Sequence, residues 1–182
     1  MEYIATELQG VFVIEPKVFN DERGYFFEAW KKEEFEKHVG KVDFVQDNES
    51  KSSFGVLRGL HYQKGEASQA KLVRVIKGRV LDVAVDLHKS SPTFGKYVAV
   101  ELSDENKKQL FIPRGFAHGF LVLSPEAVFT YKVDNVYCPQ SETSIRWNDE
   151  TLGIEWPIEY DKIVTSAKDL KGKSLGEAEV FE

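Results

Sequence analysis

Short runs of alternating apolar and polar residues, separated by turns rich in Gly, Pro and Asn, occupy most of the chain. Such alternation predicts strands, because successive side chains of a strand point to opposite faces of its sheet. The clearest run, residues 79–87, places Leu, Val, Val and Leu at alternate positions from 81 to 87. Residues 31–39 predict the one convincing helix, which is short and charged and ends at Gly40. Further strands are predicted over residues 10–15, 25–30, 42–53, 55–63, 69–76, 96–102, 109–112 and 127–133, and from His118 onwards.

Many short strands at intervals of roughly ten residues favour an antiparallel sandwich or barrel over a βαβ fold. We therefore predict a mainly β fold, an antiparallel jelly-roll barrel with one or two short helices. No repeat or linker divides the 182 residues, so a single domain over residues 1–182 is expected. The interior of such a barrel can hold a small ligand.

Composition limits the classes of partner. The net charge of −6 argues against nucleic acid as the main partner, because phosphate backbones require a basic surface. No apolar run approaches the roughly 20 residues that a membrane-spanning helix needs, so no membrane contact is expected. The single cysteine, Cys138, cannot form an internal disulfide or a cysteine metal cluster, and this predicts a cytoplasmic location.

Four strands that otherwise predict core are interrupted by polar side chains, namely His61, Lys71, His118 and Tyr131. Each has an ordinary structural explanation: a histidine bonded to backbone, a lysine whose head reaches water, or a core tyrosine with a bonded hydroxyl. Four such groups on separate strands can nevertheless converge inside a barrel. Their joint presence favours a functional cluster.

Arg58 accompanies His61 in the stretch GVLRGLHYQ at residues 55–63. Its guanidinium suits phosphate or carboxylate, although an arginine at a strand end can also lie in solvent. Three positions apart on a strand, the two side chains would point to opposite faces unless Gly59 kinks the strand. The polar run at residues 46–49, QDNE, is equally open to two interpretations, a plain loop or a row of groups that bind a ligand.

The residue types favour acid–base chemistry. Nucleophilic catalysis has little support, because the chain has no G-x-S-x-G elbow and Cys138 has no evident base. The run PRGFAH at residues 113–118 matches the later half of a metal-binding cupin motif. The earlier half, H-x-H, is absent because Gln63 follows His61 two positions on, and one histidine beside an amide is a poor zinc or iron site.

Several longer motifs occur in one order along nearly the whole chain: DERGYFFE at residues 21–28, QDN at 46–48, GVLRGLHYQ at 55–63, IPRGFAHGF at 112–120, WND at 147–149 and LGI at 152–154. In these motifs the chain resembles the dTDP-4-dehydrorhamnose 3,5-epimerases, cupin-fold enzymes of dTDP-rhamnose synthesis. The resemblance implies no cofactor and no metal, and a dTDP-4-dehydro-6-deoxy-sugar as substrate.

The resemblance also implies catalytic roles. His61 would be the base that removes the protons next to the C4 ketone, at C5 and C3, and Asp169 would hold its tautomer. Lys71 would stabilise the enolate oxygen. Tyr131 would supply the new proton from the opposite face, which inverts each centre. The motif around Asp169, KDLKG at residues 168–172, departs further from the family pattern than the motif around His61.

For substrate binding, the resemblance implies a diphosphate clamp of Arg23 and Arg58, a thymine stack on Tyr137, and a sugar pocket lined by His118. Further ligand contacts would be Glu28, Gln46, Asp47, Asn48, Glu142 and Lys168. The family forms homodimers with strand exchange, so residues near Arg23 and Glu28 would serve the pocket of the partner.

Three alternatives remain at this point. A related enzyme could epimerise C3 alone, with nearly the same fold and pocket. A non-catalytic nucleotide-sugar binding module would need neither His61 nor Tyr131, so their joint presence argues against it. A metal-dependent cupin oxygenase would bind a stoichiometric metal ion.

Overall fold

The structure is a computed structural model that describes all residues from 1 to 182. Its thirteen strands, numbered in chain order, are β1 Glu2–Ala5, β2 Phe12–Glu15, β3 Phe19–Asp21, β4 Gly24–Phe26, β5 Gln46–Ser53, β6 Leu57–Gln63, β7 Lys71–Lys77, β8 Arg79–Asp86, β9 Tyr97–Ser103, β10 Gln109–Ile112, β11 Phe116–Val122, β12 Glu126–Val133 and β13 Glu142–Ser144. One α-helix, α1, spans Lys32–His38. Four 3-10 turns occupy Gly65–Ala67, Tyr160–Lys162, Asp169–Lys171 and Leu175–Glu177.

Two antiparallel sheets make up most of the molecule. The six-stranded sheet has the order β1-β2-β10-β7-β12-β5, and the five-stranded sheet has the order β13-β6-β11-β8-β9. Strands β3 and β4 form a separate hairpin outside both sheets. The prediction of a mainly β, antiparallel fold with a short helix is therefore confirmed. No helix of the structure has the length and apolar character needed to cross a membrane.

A core of fourteen buried residues lies between the two sheets. Val73 and Phe129 enter it from the six-stranded sheet, and Val80 and Phe120 enter it from the five-stranded sheet. Burying each side chain of this size contributes about 1.5–3 kcal/mol relative to exposure. The polar side chains that share this inward face therefore lie inside the sandwich.

The C-terminal part of the chain covers the outer face of the five-stranded sheet. Ile154, Trp156 and Leu175 pack there against strand residues such as Val83 and Leu121. The sequence predicts an irregular, charged tail beyond residue 161, and the structure shows an irregular tail that nevertheless adds a third apolar layer. As a result, both faces of β8 are buried.

Helix α1 covers part of the outer face of the six-stranded sheet. Phe35 is its one buried side chain and packs against Ile14, Leu72 and Phe111. The chain leaves the helix through Gly40, whose φ of +116° suits glycine. The predicted helix over residues 31–39 is therefore confirmed to within one residue at each end.

A β-bulge in β6 sets the directions of the Arg58 and His61 side chains. His118 of β11 pairs with His61 and Phe120 pairs with Arg58, so two residues of β11 span three of β6. The extra residue turns Arg58 and His61 to the same face. Gly59 allows this, because its φ is +132° and a Cβ there would lie 2.5 Å from the Cα of Gly119. The hypothesis of a kink at Gly59 is confirmed.

Three predicted elements differ from the structure. The strand predicted over 10–15 begins at Phe12, and the strand predicted over 25–30 is only Gly24–Phe26, because Trp30 turns inward to pack on Phe35 and Phe44. Residues 42–45 precede β5 rather than belong to it, and the polar run at 46–49 lies on that edge strand and not in a loop. Strands β1, β3 and β13 were not predicted, since each has only three or four residues.

Candidate active site

His61 and Asp169 form a hydrogen-bonded pair that joins β6 to the C-terminal segment. His61 Nε2 bonds Oδ1 of Asp169, and the other carboxylate oxygen accepts a 2.8 Å bond from Ser166 Oγ. Burial acts to raise the pKa of Asp169, but the bonds from His61 and Ser166 outweigh it and hold that pKa below its ordinary value. The ionised carboxylate holds the proton on Nε2 and leaves Nδ1 of His61 as the basic nitrogen.

A second buried pair, His118 with Asp82, lies beside the first. His118 pairs directly with His61 across the strands, and its Nε2 lies 2.9 Å and 3.1 Å from the two carboxylate oxygens of Asp82. Asp82 is completely buried. Burial lowers the pKa of His118, while the charge of Asp82 acts in the opposite direction. A neutral His118 that donates one hydrogen bond to Asp82 satisfies both groups.

Lys71 begins β7 on the opposite wall. It shares the inward face with Val73, and its neighbours across the strands are Ile112 and Val133. Burial lowers the pKa of Lys71 to about 8, although the charges of Asp82 and Glu142 favour its cation. Lys71 is therefore an ammonium at neutral pH.

Tyr131 lies on the inward face of β12, next to β7. Its ring packs against Phe129, with the ring centroids 6.1 Å apart. Burial and the charge of Glu142 raise the pKa of Tyr131, and the charge of Arg58 opposes them. The phenol is therefore neutral near pH 7 and has a proton to donate.

The four side chains thus divide between two facing walls. His61 and His118 belong to the five-stranded sheet, whereas Lys71 and Tyr131 belong to the six-stranded sheet. The inward faces of these sheets enclose the core, so a flat ring placed between them has His61 on one side and Tyr131 on the other. This arrangement can remove a proton from one face and deliver another to the opposite face.

Charged and aromatic groups surround the mouth of this space. Glu142 forms an ion pair with Lys168 and accepts a 2.5 Å hydrogen bond from the hydroxyl of Tyr137. Burial acts to raise the pKa of Glu142, but those two bonds outweigh it and lower that pKa. Arg58 donates from Nε to Ser52 Oγ at 3.0 Å, which leaves the rest of its guanidinium free for an anion. The mouth therefore offers two cations and an aromatic ring.

A cavity of about 360 Å³ connects several of these groups, and Arg58, His61, Lys168 and Asp169 line it. A larger groove of about 520 Å³ lies on the outer face of the six-stranded sheet, beside Trp30, Leu72 and Arg74. Asn48 and Tyr131 also border this groove, whereas the His61–Asp169 pair borders the smaller cavity and not the groove, and Lys71 and His118 border neither. The smaller cavity is therefore the candidate active site.

The polar run on β5 is divided between the two faces of its strand. Gln46 and Asn48 alternate onto the inward face, where Asn48 pairs with Tyr131 and accepts a 2.8 Å bond from Gln46. Asp47 points outward, where it binds Lys132 at 2.9 Å and borders the larger groove. The structure thus places Gln46 and Asn48 on the inward face of the sheet, but not the side chain of Asp47.

Arg23 and Glu28 lie away from the cavity. Arg23 is at the tip of the β3–β4 hairpin, where its side chain is 85% exposed and pairs with Asp21 at 2.6 Å. Glu28 borders a separate depression, which Phe19 and Phe26 also line. Within this one chain, neither side chain joins the cluster around His61.

Two polar residues of the site were not predicted. Asp82 occupies the polar side of the most regular alternating strand, which suggests solvent. In the structure that side faces the sandwich interior beside Val80 and Ala84, because the apolar side packs against the C-terminal layer. Ser166 lies three positions before Asp169, a spacing typical of a hydroxyl that bonds both the backbone N–H and the carboxylate of a later Asp. The spacing of Ser166 and Asp169 in the sequence could therefore have predicted that Ser166 bonds Asp169.

Comparison with known proteins decides the family. The family model for dTDP-4-dehydrorhamnose 3,5-epimerase matches residues 5–177. The dTDP-4-dehydrorhamnose 3,5-epimerase of Salmonella typhimurium is 56% identical over 183 residues, which cover 100% of both chains. This chain belongs to the dTDP-4-dehydrorhamnose 3,5-epimerase family. It is accordingly an epimerase, and the resemblance found in its motifs is confirmed.

Solved structures of the family have the same fold. The dTDP-4-dehydrorhamnose 3,5-epimerase of Elizabethkingia anophelis superposes with a TM-score of 0.94 at 53% identity, covering 97% of each chain. The dTDP-6-deoxy-D-glucose-3,5-epimerase of Legionella pneumophila, in complex with dTDP-4-keto-L-rhamnose, also gives 0.94, at 48% identity over 98% of this chain and 94% of that one. A 3'-monoepimerase from Streptomyces bikiniensis in complex with dTDP-quinovose gives 0.87 at 32% identity, over 94% and 86%. The cupin jelly roll is thereby confirmed for this epimerase.

Proposed function

We propose that this epimerase inverts C3 and C5 of dTDP-4-dehydro-6-deoxy-glucose, giving dTDP-4-dehydro-rhamnose for dTDP-L-rhamnose synthesis. Membership of the family over residues 5–177 supports the substrate class. The observation that carries the mechanism is the placement of His61 and Tyr131 on facing sheets. Inversion requires this separation, because one group acting on one face returns the proton to the side it left.

Each inversion proceeds in two proton transfers. Nδ1 of His61 takes the proton from C5, and the electron pair of the C–H bond moves into the C4 carbonyl as an enolate. The Lys71 ammonium stabilises the enolate oxygen as the negative charge develops there. Tyr131 then donates its hydroxyl proton to C5 from the opposite face, and the ketone re-forms. After His61 has released its proton to solvent and Tyr131 has regained one, the same two transfers at C3 complete the reaction.

The mouth of the cavity fits the nucleotide. Arg58 and Lys168 supply positive charge for the diphosphate, and Tyr137, which is 52% exposed, supplies a ring for the thymine. Gln46 and Asn48 offer amides, and Glu142 an acceptor, towards the same space. The contact predicted for Asp47 stays a prediction, since its side chain faces outward.

A homodimer completes the proposed site. Arg23 lies away from its own cavity, on a hairpin that exposes Phe19, Tyr25 and Phe26, and Glu28 follows that hairpin by two residues. An exposed aromatic hairpin of this kind is suited to packing on another subunit. We assign Arg23 and Glu28 to the nucleotide site of the partner.

The proposal also covers the domain organisation and the cellular location of the epimerase. Residues 1–182 act as one cupin-like epimerase domain, which the family match over residues 5–177 supports. The epimerase works in the cytoplasm. The single free cysteine, Cys138, supports this location, because proteins of a reducing compartment rarely contain disulfides.

Epimerisation at C3 alone is the second candidate. The 3'-monoepimerase with a TM-score of 0.87 shows that the fold accommodates both activities. Sequence identity favours inversion at both C3 and C5, since this chain is 56% identical to the 3,5-epimerase of Salmonella typhimurium and 32% identical to the monoepimerase.

Incubation with dTDP-4-dehydro-6-deoxy-glucose in deuterated water separates the two candidates. Deuterium at both C3 and C5 of the product, read by NMR, supports the proposal. Deuterium at C3 alone selects the monoepimerase, and the absence of label contradicts catalysis on this substrate.

A further inference from the structure

Gln63 ends β6 two positions after His61, and the proton-transfer mechanism gives it no role. It is 4% exposed and lies opposite Glu142 in the pairing of β6 with β13. Burying an amide is unfavourable unless its donors and acceptor find partners. Those partners show what Gln63 does.

The side-chain amide is bonded on both sides to loop backbone. Nε2 donates to the carbonyl of Ala67 at 2.6 Å and to the carbonyl of Val136 at 3.2 Å. Oε1 accepts from the N–H of Cys138 at 2.7 Å. Both donor hydrogens of the amide are thus used. The oxygen is committed to the loop as well, so Gln63 acts as a backbone clamp and not as a ligand donor.

Two of the three partners flank one residue, Tyr137. Residues 134–141 join β12 to β13 without regular secondary structure, so this loop has no ladder of its own to hold Tyr137. The clamp fixes the peptide groups before and after Tyr137. The tyrosine itself adds only a 3.4 Å bond from its N–H to Gln46 and the bond from its hydroxyl to Glu142.

We infer that Gln63 is a positioning residue for the nucleotide base, which holds the 134–141 loop so that the ring of Tyr137 stands ready at the cavity mouth. The inference rests on the proposed role of Tyr137 as the thymine stack. A preformed stack binds more tightly because the loop is ordered before the ligand arrives. Gln63 therefore acts on nucleotide affinity and leaves the proton transfers of His61 and Tyr131 unchanged.

The test compares Gln63→Met, which keeps the volume of the side chain but removes its hydrogen bonds, with Tyr137→Ala and the double variant. Calorimetry with dTDP and with inorganic diphosphate measures affinity. We expect Gln63→Met to weaken dTDP binding by about five- to ten-fold and to leave diphosphate binding unchanged. In the Tyr137→Ala background the same substitution should cause no further loss, because the stack is already gone. The rate of deuterium exchange at saturating substrate should stay at the wild-type value.

Other outcomes contradict the inference in distinct ways. Unchanged dTDP affinity in Gln63→Met overturns it, as do losses that simply multiply in the double variant, or an equal loss of diphosphate binding. If Tyr137→Ala itself binds dTDP normally, the proposed stack fails, whatever Gln63 does. Should Gln63→Met not fold, amide hydrogen exchange of the wild type decides: a slowly exchanging Cys138 N–H in the free enzyme supports the clamp, and a rapidly exchanging one overturns it.

Discussion

Lys71 is the side chain whose charge in the site depends most on its neighbours. Burial lowers its pKa to about 8, and among the groups around it only the carboxylates of Asp82 and Glu142 favour the cation. His118, His61 and Arg58 also face this space and add no negative charge. The enolate needs the ammonium form, so activity should fall as pH rises through about 8.

Asp82→Asn tests this dependence. The amide keeps the shape of the carboxylate but removes its charge, so the pKa of Lys71 falls further and the ammonium is lost at a lower pH. We expect kcat at pH 8 to fall about ten-fold, less than for loss of an oxyanion donor itself, and the high-pH limb of kcat to move to lower pH. Asp86→Asn is the matched control, because Asp86 is buried on the same strand but binds Ser91, Thr93 and His88. A limb that stays in place in Asp82→Asn, or moves equally in the control, contradicts the role.

Arg58→Ala should weaken binding rather than chemistry. Loss of a guanidinium that binds diphosphate is expected to reduce dTDP affinity by about ten- to a hundred-fold, because charge-assisted hydrogen bonds contribute about 1.5–3 kcal/mol. Calorimetry with dTDP measures the change, and Arg79→Ala, an exposed arginine of β8, is the control. Wild-type affinity in Arg58→Ala would remove Arg58 from the clamp.

At the scale of elements, the bulge in β6 connects the fold to the chemistry. It turns Arg58 and His61 to one face, and it exists because Gly59 passes close to Gly119 of β11. A regular strand would direct the proposed anion-binding group, Arg58, and the proposed base, His61, to opposite faces of the sheet. The geometry of the site therefore depends directly on the pairing of β6 with β11.

Gly59→Ala should destabilise the enzyme strongly. The new Cβ would lie 2.5 Å from the Cα of Gly119, and the φ of +132° is unfavourable for alanine. We expect the free energy of unfolding to fall by about 3 kcal/mol, which thermal or denaturant unfolding measures. Gly176→Ala is the control, since a Cβ there meets no atom within 4 Å. Equal stability of the two variants would show that the bulge does not need glycine.

Local pattern was enough to predict the elements that carry the site, but not the layers around them. Strands over 55–63 and 127–133 follow from alternation, and the convergence of His61, Lys71, His118 and Tyr131 follows from placing them on the inward face. Asp82 could not be found in this way, because alternation predicts that the apolar side of β8 faces the core. In the structure that side packs under the C-terminal layer, and the side with Asp82 faces the space between the sheets. The sequence singles out Gln63 only because it stands where the H-x-H motif has its second histidine. Its hydrogen-bond partners lie in loops, which have no periodic pattern.

At the scale of the whole molecule, one chain does not bring all the expected binding residues together. The β3–β4 hairpin holds Arg23 outside both sheets with an 85% exposed side chain, and no pattern within the sequence states which subunit it serves. The family resemblance predicts that Arg23 contributes to the site of the partner subunit. That prediction is independent of the acid–base cluster and can be tested separately.

Mixed dimers test the shared site. Arg23→Ala and His61→Ala subunits, carrying different tags and produced together, form heterodimers in which one site has both wild-type residues if Arg23 acts on its partner. Each homodimer alone should have little activity at low substrate concentration. The purified heterodimer should regain about half the wild-type activity, since one site of two is intact. A heterodimer as inactive as its parents would place Arg23 in the site of its own chain, and an Arg23→Ala homodimer with wild-type activity would remove Arg23 from the site.

The central claim is that His61 removes protons from one face while Tyr131 delivers them to the other, and Tyr131→Phe in deuterated water tests it most directly. The base remains, so the substrate proton still leaves. The enolate can then regain a deuteron only from the side of His61, whose side chain is 30% exposed and exchanges with solvent. We predict recovered substrate that carries deuterium with its configuration retained, almost no epimerised product, and no label at all in His61→Ala. Epimerised product at the wild-type rate from Tyr131→Phe would contradict the account.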